Sequence, residues 1–205
     1  MNIKICFVVE TTFKMTPYLY DVQCSMEETI NTVRFYNPQA RILISAVTYR
    51  DYKDCEQLTS WTWTPMEEFW DSWEDLQKTS RTAWFSENDT ADVAGAVNCA
   101  LEQDWSDASL RMLVHYGISP AHGSQFHGPA VDDRFPDGDP MGKDLLADVR
   151  TFSLMPCEYT FFRITPLVDT MLSLMDEVYI GSGKFTVNDL DATETYISEP
   201  DSEEE

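Results

Sequence analysis

Glycine is scarce in this chain, with eight in 205 residues, and the first of them is Gly95. The turn after the first apolar segment therefore lacks a residue that reaches positive φ without strain. This argues against a GxGxxG dinucleotide loop at that turn, because such a loop needs glycines for the backbone to approach phosphate. A P-loop is excluded as well, since Gly183-Lys184 is followed by Phe185 instead of Ser or Thr.

Basic residues are also scarce: 14 Lys and Arg stand against 36 Asp and Glu, for a formal net charge of -22. Such a field repels phosphate backbones and anionic lipid, so we expect neither direct nucleic-acid binding nor membrane binding. A protein partner, and a basic one in particular, is favoured. We predict one domain over residues 1–187 and an acidic, disordered tail over 188–205. The tail is interpreted as a solubilising terminus, with an interaction segment as the alternative.

The five cysteines are widely spaced, and no two of them form a CxxC motif. This usage is typical of reduced thiols and predicts a cytoplasmic or nuclear setting. The sequence has no charged-then-apolar leader and no run of 18 apolar residues. We therefore expect neither secretion by signal peptide nor a membrane span.

The opening segment, Asn2 to Met15, contains an almost unbroken apolar run that ends at Glu10, Thr11 and Thr12. A continuous run of this kind is typical of a strand buried on both faces. Apolar segments and amphipathic helices alternate along most of the chain, which predicts an α/β fold with a doubly wound, mostly parallel sheet flanked by helices. The predicted helices cover residues 18–36, 65–76, 92–105, 143–152 and 167–179, and the first has an apolar stripe that includes Val22, Met26 and Ile30. Residues 57–64 and 184–187 are predicted to be edge strands. Polar groups at the carboxyl end of the first strand then lie where open α/β folds bind ligands.

An ordered set of motifs resembles a von Willebrand factor A (vWA) domain of the kind found beside alpha-kinase catalytic domains. Glu10 to Met15 (ETTFKM) occupies the place of the D-x-T/S-x-S signature, and Tyr49 to Asp54 (YRDYKD) resembles Y-R-D-x-x-D. Further on, His115 to Gly123 (HYGISPAHG) is similar to H-I-A-D-A-P-x-H-G. The segment from Phe126 to Pro140 resembles the motif that follows in that family, Y-H…D-D-Y-P-x-G-D-P. The resemblance covers Asn2 to about Tyr179 and implies a Rossmann-like vWA fold.

The resemblance also implies a metal-ion-dependent adhesion site, which presents hard oxygen ligands to Mg²⁺. The sequence departs from that pattern, because Glu10 replaces Asp, Lys14 replaces the second hydroxyl, and Ile118 replaces a later Asp. Thr12 keeps the first hydroxyl, and a third ligand maps to the segment from residue 88 to 90. We expect a degenerate site that binds Mg²⁺ weakly or not at all, and no other cofactor. The remaining ligand candidates are Glu10, Thr12, Asp89 and Thr90.

The ammonium group of Lys14 offers a substitute for the lost ion. One hypothesis pairs it with Glu10 or Asp89, because a buried carboxylate needs such compensation. The alternative is that Lys14 points into solvent. We expect a partner to bind at the loops containing Thr11, Phe13, Lys14, Asn88, Ile118, Ser119 and His122.

Two further clusters have alternative interpretations. His122 and His127, with Asp132 and Asp133, could form a zinc site with mixed His and Asp ligands. The favoured interpretation is that these residues brace a long loop through hydrogen bonds to its backbone. His115 is interpreted as a core histidine. The aromatic residues Trp61, Trp63, Trp70 and Trp73 are interpreted as core residues or as an exposed partner patch, on the expectation that Trp61 and Trp63 share one strand face.

The sequence contains no GxSxG motif and no recognisable nucleophile with a companion base, so we predict that the chain is not an enzyme. The favoured function is a protein-binding module that uses the loops at the carboxyl ends of the strands. One alternative is a regulatory component of an alpha-kinase system acting in trans. Another is an acidic decoy for a basic surface, such as that of a nucleic-acid-binding protein or a ribosome.

Overall fold

The structure is a computed structural model that describes residues 1–54, 56–70 and 88–190. Six strands form one sheet in the order β3-β2-β1-β4-β5-β6. The antiparallel pair is β2 with β3, and the other four neighbouring pairs are parallel. The strands are β1 (Asn2–Glu10), β2 (Arg41–Tyr49), β3 (Leu58–Pro65), β4 (Leu110–Gly117), β5 (Cys157–Arg163) and β6 (Lys184–Asp189).

β1 lies in the middle of the sheet, as its unbroken apolar sequence predicts. Residues 3–10 of the strand are all buried, because β2 and β4 pair with its two edges and helices cover both faces. The predicted α/β fold with a mostly parallel sheet is confirmed. β3 and the segment beginning at Lys184 are edge strands, as the sequence indicates, although β6 runs to Asp189 and passes the predicted boundary at residue 187.

The helices follow the predicted alternation, with shifted ends. They are α1 (Leu19–Tyr36), α2 (Val93–Leu101), α3 (Leu145–Leu154) and α4 (Asp169–Val178), with 3-10 turns at Phe13–Tyr18 and Pro166–Val168. α2 and α3 begin where the carboxylates of Asp92 and Asp144 accept backbone N–H groups of the first turn. Residues 66–70 are also helical. The remainder of the helix predicted from Pro65 to Leu76 lies outside the described residues.

Alternation along β1 divides the apolar residues between two cores. Cys6 and Val8 face the core beneath α2, α3 and α4, whereas Ile5 and Phe7 face the core beneath α1 and residues 66–70. Each face of the parallel part of the sheet therefore has its own apolar layer, as such sheets require.

A β-bulge separates the two tryptophans of β3. Ile44 pairs with Thr64 and Ala46 pairs with Trp61, so two residues of β3 oppose one residue of β2. Trp63 packs on the α2 side, where its ring lies 5.0 Å from that of Trp105, and Trp61 packs on the α1 side. The expectation that Trp61 and Trp63 share one face is wrong, because the extra residue reverses the alternation between them.

Candidate functional site

The carboxyl ends of β1, β2 and β4 meet around the side chain of Glu10, which is inaccessible to solvent. Its Oε1 accepts hydrogen bonds from the hydroxyls of Thr12 and Ser119, both at 2.7 Å. Its Oε2 accepts from the backbone N–H groups of Ile118 and Ser119, both at 2.9 Å. An ionised carboxylate offers about four lone-pair positions, and the protein's own donors take four of them. Glu10 therefore ties the end of β1 to the loop that follows β4.

Lys14 lies one turn further along the same loop and pairs with Asp89. The distance from Lys14 Nζ to Asp89 Oδ1 is 2.6 Å, and the same ammonium donates to the carbonyl of Asn88 at 2.8 Å. Both side chains are 32% exposed. The hydrogen bond from Lys14 lowers the pKa of Asp89 below its ordinary value, against a smaller opposing effect of burial. Of the two sequence-based hypotheses, the geometry agrees with an ion pair, and its partner is Asp89.

A buried histidine bridges two aspartates beside this ion pair. His122 Nε2 lies 2.9 Å from Asp51 Oδ1, and His122 Nδ1 lies 2.7 Å from Asp133 Oδ1. Both nitrogens can donate to a carboxylate only in the doubly protonated ring. Burial lowers the pKa of His122, but hydrogen bonds to Asp51 and Asp133 outweigh it, so the pKa is raised overall. The imidazolium therefore holds the loop after β4 against the end of β2.

The two aspartates are stabilised in their charged form by the same contacts. Burial raises the pKa of each, but hydrogen bonds outweigh it and lower the pKa of both Asp51 and Asp133. Asp51 also accepts from the Asn88 side-chain amide at 2.7 Å, and Asp133 accepts from His127 Nε2 at 3.0 Å. The predicted loop-bracing arrangement of His122, His127 and Asp133 is present, while Asp132 bonds through its backbone to Asp89.

A second chain of polar contacts lies deeper in the site. The Tyr49 hydroxyl is 2.8 Å from His115 Nε2, and His115 Nδ1 is 2.9 Å from the Tyr159 hydroxyl. Burial lowers the pKa of His115 to about 3, so the ring is neutral. It donates its one N–H to one tyrosine hydroxyl and accepts a hydrogen bond from the other. Gly117 makes room for this chain, since a Cβ there would lie 2.6 Å from the Tyr49 hydroxyl. The prediction of a core histidine agrees with this geometry.

Tyr52 links the long loop after β4 to the start of α2, a role that no sequence motif indicated. Its hydroxyl donates to Asp92 Oδ1 at 2.9 Å and also contacts the Asp139 carboxylate. Gln57 donates to the other Asp92 oxygen at 2.6 Å. Burial raises the pKa of Asp92. These contacts join residues up to 87 positions apart in the chain, and local sequence patterns carry no signal for pairs at that distance.

The structure brings the predicted loop residues to one edge of the sheet, but most of them are buried. Phe13 is 46% exposed and Lys14 is partly exposed. The others are less than 9% exposed and form the interior of the loops: Thr11, Asn88, Ile118, Ser119 and His122. Thr90, a candidate metal ligand, is buried with them. In the tryptophan set, Trp61, Trp63 and Trp70 are partly buried, and Trp73 lies outside the described residues.

Within residues 1–54, 56–70 and 88–190, no group of three or more His, Cys, Asp or Glu is arranged to hold a metal ion. The residues that the vWA resemblance assigns to the ion fit it poorly, because Lys14 places a cation beside Asp89 and protein donors surround Glu10. In that same described part of the chain, no helix is long and apolar enough to cross a bilayer.

Solved structures identify the fold. The SpRpn10 VWA domain superposes with a TM-score of 0.57 at 11% identity, covering 93% of this chain and 89% of that one. The chain has the fold of a vWA domain. The pilus adhesin SpaC from Lactobacillus rhamnosus GG also matches the chain, with a TM-score of 0.55 at 8% identity over 90% of this chain and 28% of that one.

A curated kinase is similar in sequence to part of the chain. Alpha-protein kinase vwkA from Dictyostelium discoideum is 32% identical over an alignment of 111 residues that covers 51% of this chain and 17% of the kinase. The chain therefore spans a small part of that relative, and its relation to an alpha-kinase protein agrees with the sequence-based resemblance. No protein-family model matches the chain.

Proposed function

We propose that this vWA domain is a non-enzymatic protein-binding module that engages its partner at the carboxyl edge of the sheet without a metal ion. The observation that carries the proposal is the Lys14–Asp89 ion pair, 2.6 Å long, at the position where the vWA resemblance implies an ion ligand. The ammonium supplies the positive charge that a cation would otherwise bring to Asp89. A second cation at this place would meet electrostatic repulsion.

The environment of Glu10 supports the same proposal. Four donors from Thr12, Ile118 and Ser119 surround its two oxygens. A metal ion would have to displace at least one of them, and a displaced donor in a buried site costs about 1–3 kcal/mol. The carboxylate thus serves as a structural anchor for the loops, and the loops keep their shape in the absence of an ion.

The surface offered to a partner centres on Phe13 and Lys14, which are the accessible members of the predicted loop set. Phe13 is a large apolar side chain, 46% exposed, next to a charged pair. An exposed aromatic ring beside a preorganised polar group is typical of interaction hot spots. The buried residues behind it hold the loops in place and so limit the entropy lost on binding.

Calorimetric titration of the full chain with MgCl₂ and with MnCl₂ tests the metal part of the proposal. We expect no saturable heat, and saturable micromolar binding would overturn it. Affinity capture followed by mass spectrometry tests the partner part of the proposal. The wild type is used as bait in EDTA and in Mg²⁺, and proteins captured equally in both are candidate partners. The same capture is then repeated with Phe13→Ala as bait. We expect Phe13→Ala to lose the specific partner, whereas Leu154→Ala, at an exposed apolar site on α3, keeps it.

A regulatory role in an alpha-kinase system acting in trans is the second candidate function. Its support is the 32% identity over 111 residues to Alpha-protein kinase vwkA. Co-purification of a kinase, with phosphotransfer activity in the captured fraction, distinguishes this candidate from a module that binds unrelated proteins.

A further inference from the structure

The sheet face beneath α1 is covered unevenly. α1 packs over the central strands through Val22, Met26 and Ile30, and the helical residues 66–70 flank it on one side. Within the described part of the chain, α1 and residues 66–70 are the helical segments on this face of the sheet. The helices α2, α3 and α4 pack on the opposite face. A mostly parallel sheet normally has helices over both faces. The described helices leave part of this face of β4, β5 and β6 uncovered.

A groove follows the uncovered side of α1, and we name it the α1 groove. Its central part has a volume of about 350 Å³ and lies between α1 and the strands β4 to β6. It continues into a depression of about 330 Å³ toward Tyr20 and one of about 640 Å³ toward Tyr36, which share lining residues with the central part. Its main lining residues are Ser25, Glu28, Thr32, Met112, Thr160 and Phe162.

Exposed aromatic side chains lie at both ends of the groove. Tyr20 is 71% exposed at one end, and Phe35 and Tyr36 are 78% and 74% exposed at the other. At a rise of about 1.5 Å per residue, the helix between Tyr20 and Phe35 spans about 22 Å. That length matches roughly four turns of a second helix lying beside α1.

The charge of the groove indicates the chemistry of its occupant. Four carboxylates line its three parts, namely those of Asp21, Glu27, Glu28 and Asp189, and the last of them pairs with Arg163. No Lys or Arg is among the described residues that line these parts. A cationic segment is therefore attracted. Residues 191–205 of this chain contain seven Asp and Glu and no Lys or Arg, so like-charge repulsion disfavours them as the occupant.

We propose that the α1 groove binds an amphipathic helix of a partner protein, with Lys or Arg flanking its apolar stripe. Apolar side chains of the helix would contact Met112 and Phe162, and its basic side chains would pair with Glu28, which lines all three parts of the groove. This is the helix-in-groove mode of recognition, extended by charge complementarity. The groove is separate from the carboxyl-edge loops, and this proposal does not depend on whether those loops bind a partner.

The test uses the full chain and a synthetic peptide of about 16 residues, built from Leu, Lys and Ala with Leu on one helical face. A scrambled peptide of the same composition controls for net charge. Glu28→Lys reverses one charge in the groove. Glu177→Lys is the matched control, because Glu177 is exposed on α4 at the opposite face of the sheet. Circular dichroism checks that both variants fold.

We expect saturable binding of the amphipathic peptide at a single site and about tenfold weaker binding of the scrambled peptide. Glu28→Lys should weaken binding roughly fivefold, and Glu177→Lys should change it less. The proposal is overturned if neither peptide binds, if the scrambled peptide binds equally well, or if the two variants weaken binding equally. Sedimentation showing a dimer that Glu28→Lys dissociates would also overturn it, because the occupant would then be a second copy of this chain.

Discussion

The Lys14 ammonium lies 2.6 Å from the Asp89 carboxylate, although the two residues are 75 positions apart in the chain. The pair fastens the loop after β1 to the loop before α2 at the edge where open α/β folds bind ligands. The Lys14 ammonium is thus part of the framework of the site.

Replacing Lys14 with Met removes the ion pair and keeps most of the apolar stem. We expect the pKa of Asp89 to rise toward its ordinary value, because the hydrogen bond from Lys14 is the main effect that lowers it. The free energy of unfolding should fall by no more than about 1 kcal/mol, since both groups are partly exposed. Carboxyl-carbon NMR titration measures the pKa, and an unchanged value would contradict the ion pair.

Replacing Glu10 with Gln converts one of the two acceptor oxygens into an NH₂ group, which is a donor. Two of the four donors around Glu10 would then face a donor. We expect the free energy of unfolding to fall by about 2–4 kcal/mol. Urea denaturation measures the loss, and Glu27→Gln at an exposed position of α1 is the control, with an expected change within about 0.5 kcal/mol. Equal effects of the two variants would show that Glu10 is not an anchor.

Replacing Gly117 with Ala introduces a Cβ only 2.6 Å from the Tyr49 hydroxyl and 3.2 Å from Glu10 Oε2. Either the tyrosine moves away from His115 or the backbone of β4 shifts. We expect a loss of about 1–3 kcal/mol in the free energy of unfolding. Gly128→Ala is the matched control, since a Cβ at Gly128 meets nothing within 4 Å. Thermal denaturation of the two variants side by side checks the difference.

The bridge from Asp51 through His122 to Asp133 makes stability depend on pH. Because the pKa of folded His122 is raised above 6.5, its contribution is complete below the unfolded pKa and is lost as pH rises through the folded pKa. The pKa values of Asp51 and Asp133 are lowered, so their contribution is present above the unfolded pKa near 3.8 and is lost as pH falls through their folded values.

Urea denaturation across a pH series checks this prediction. Wild type should lose stability as the solution becomes alkaline above the ordinary histidine pKa, whereas His122→Gln should show a flatter profile over that range because Gln carries no titrating proton. Identical slopes for the two proteins would mean that His122 is already neutral in the folded state.

The sequence predicted the features of this fold that depend on local pattern. The apolar run of β1 placed it in the centre of the sheet, and the stripe of Val22, Met26 and Ile30 placed α1 on a core. The bulge between Trp61 and Trp63 was not predicted, because strand alternation is a rule about regular pairing and an inserted residue leaves no distinct signal.

At the candidate site, too, the sequence predicted which residues come together but not the contacts between loops that are distant in the chain. The resemblance to vWA motifs brought Glu10, Lys14 and Asp89 to one edge, but the sequence left open whether Lys14 meets Glu10, Asp89 or solvent. That choice depends on how two loops approach each other in three dimensions. The exposure of Phe13 and the burial of Ser119 likewise depend on loop packing, which neither spacing nor residue type determines.

The bulge in β3 also bears on how this sheet ends. β3 is an edge strand, and an edge with a regular row of unpaired backbone groups invites strands from other molecules. Two residues of β3 opposing one residue of β2 break that row and increase the local twist. A strand from another molecule therefore cannot pair in a continuous register along β3, and the bulge disfavours edge-to-edge aggregation.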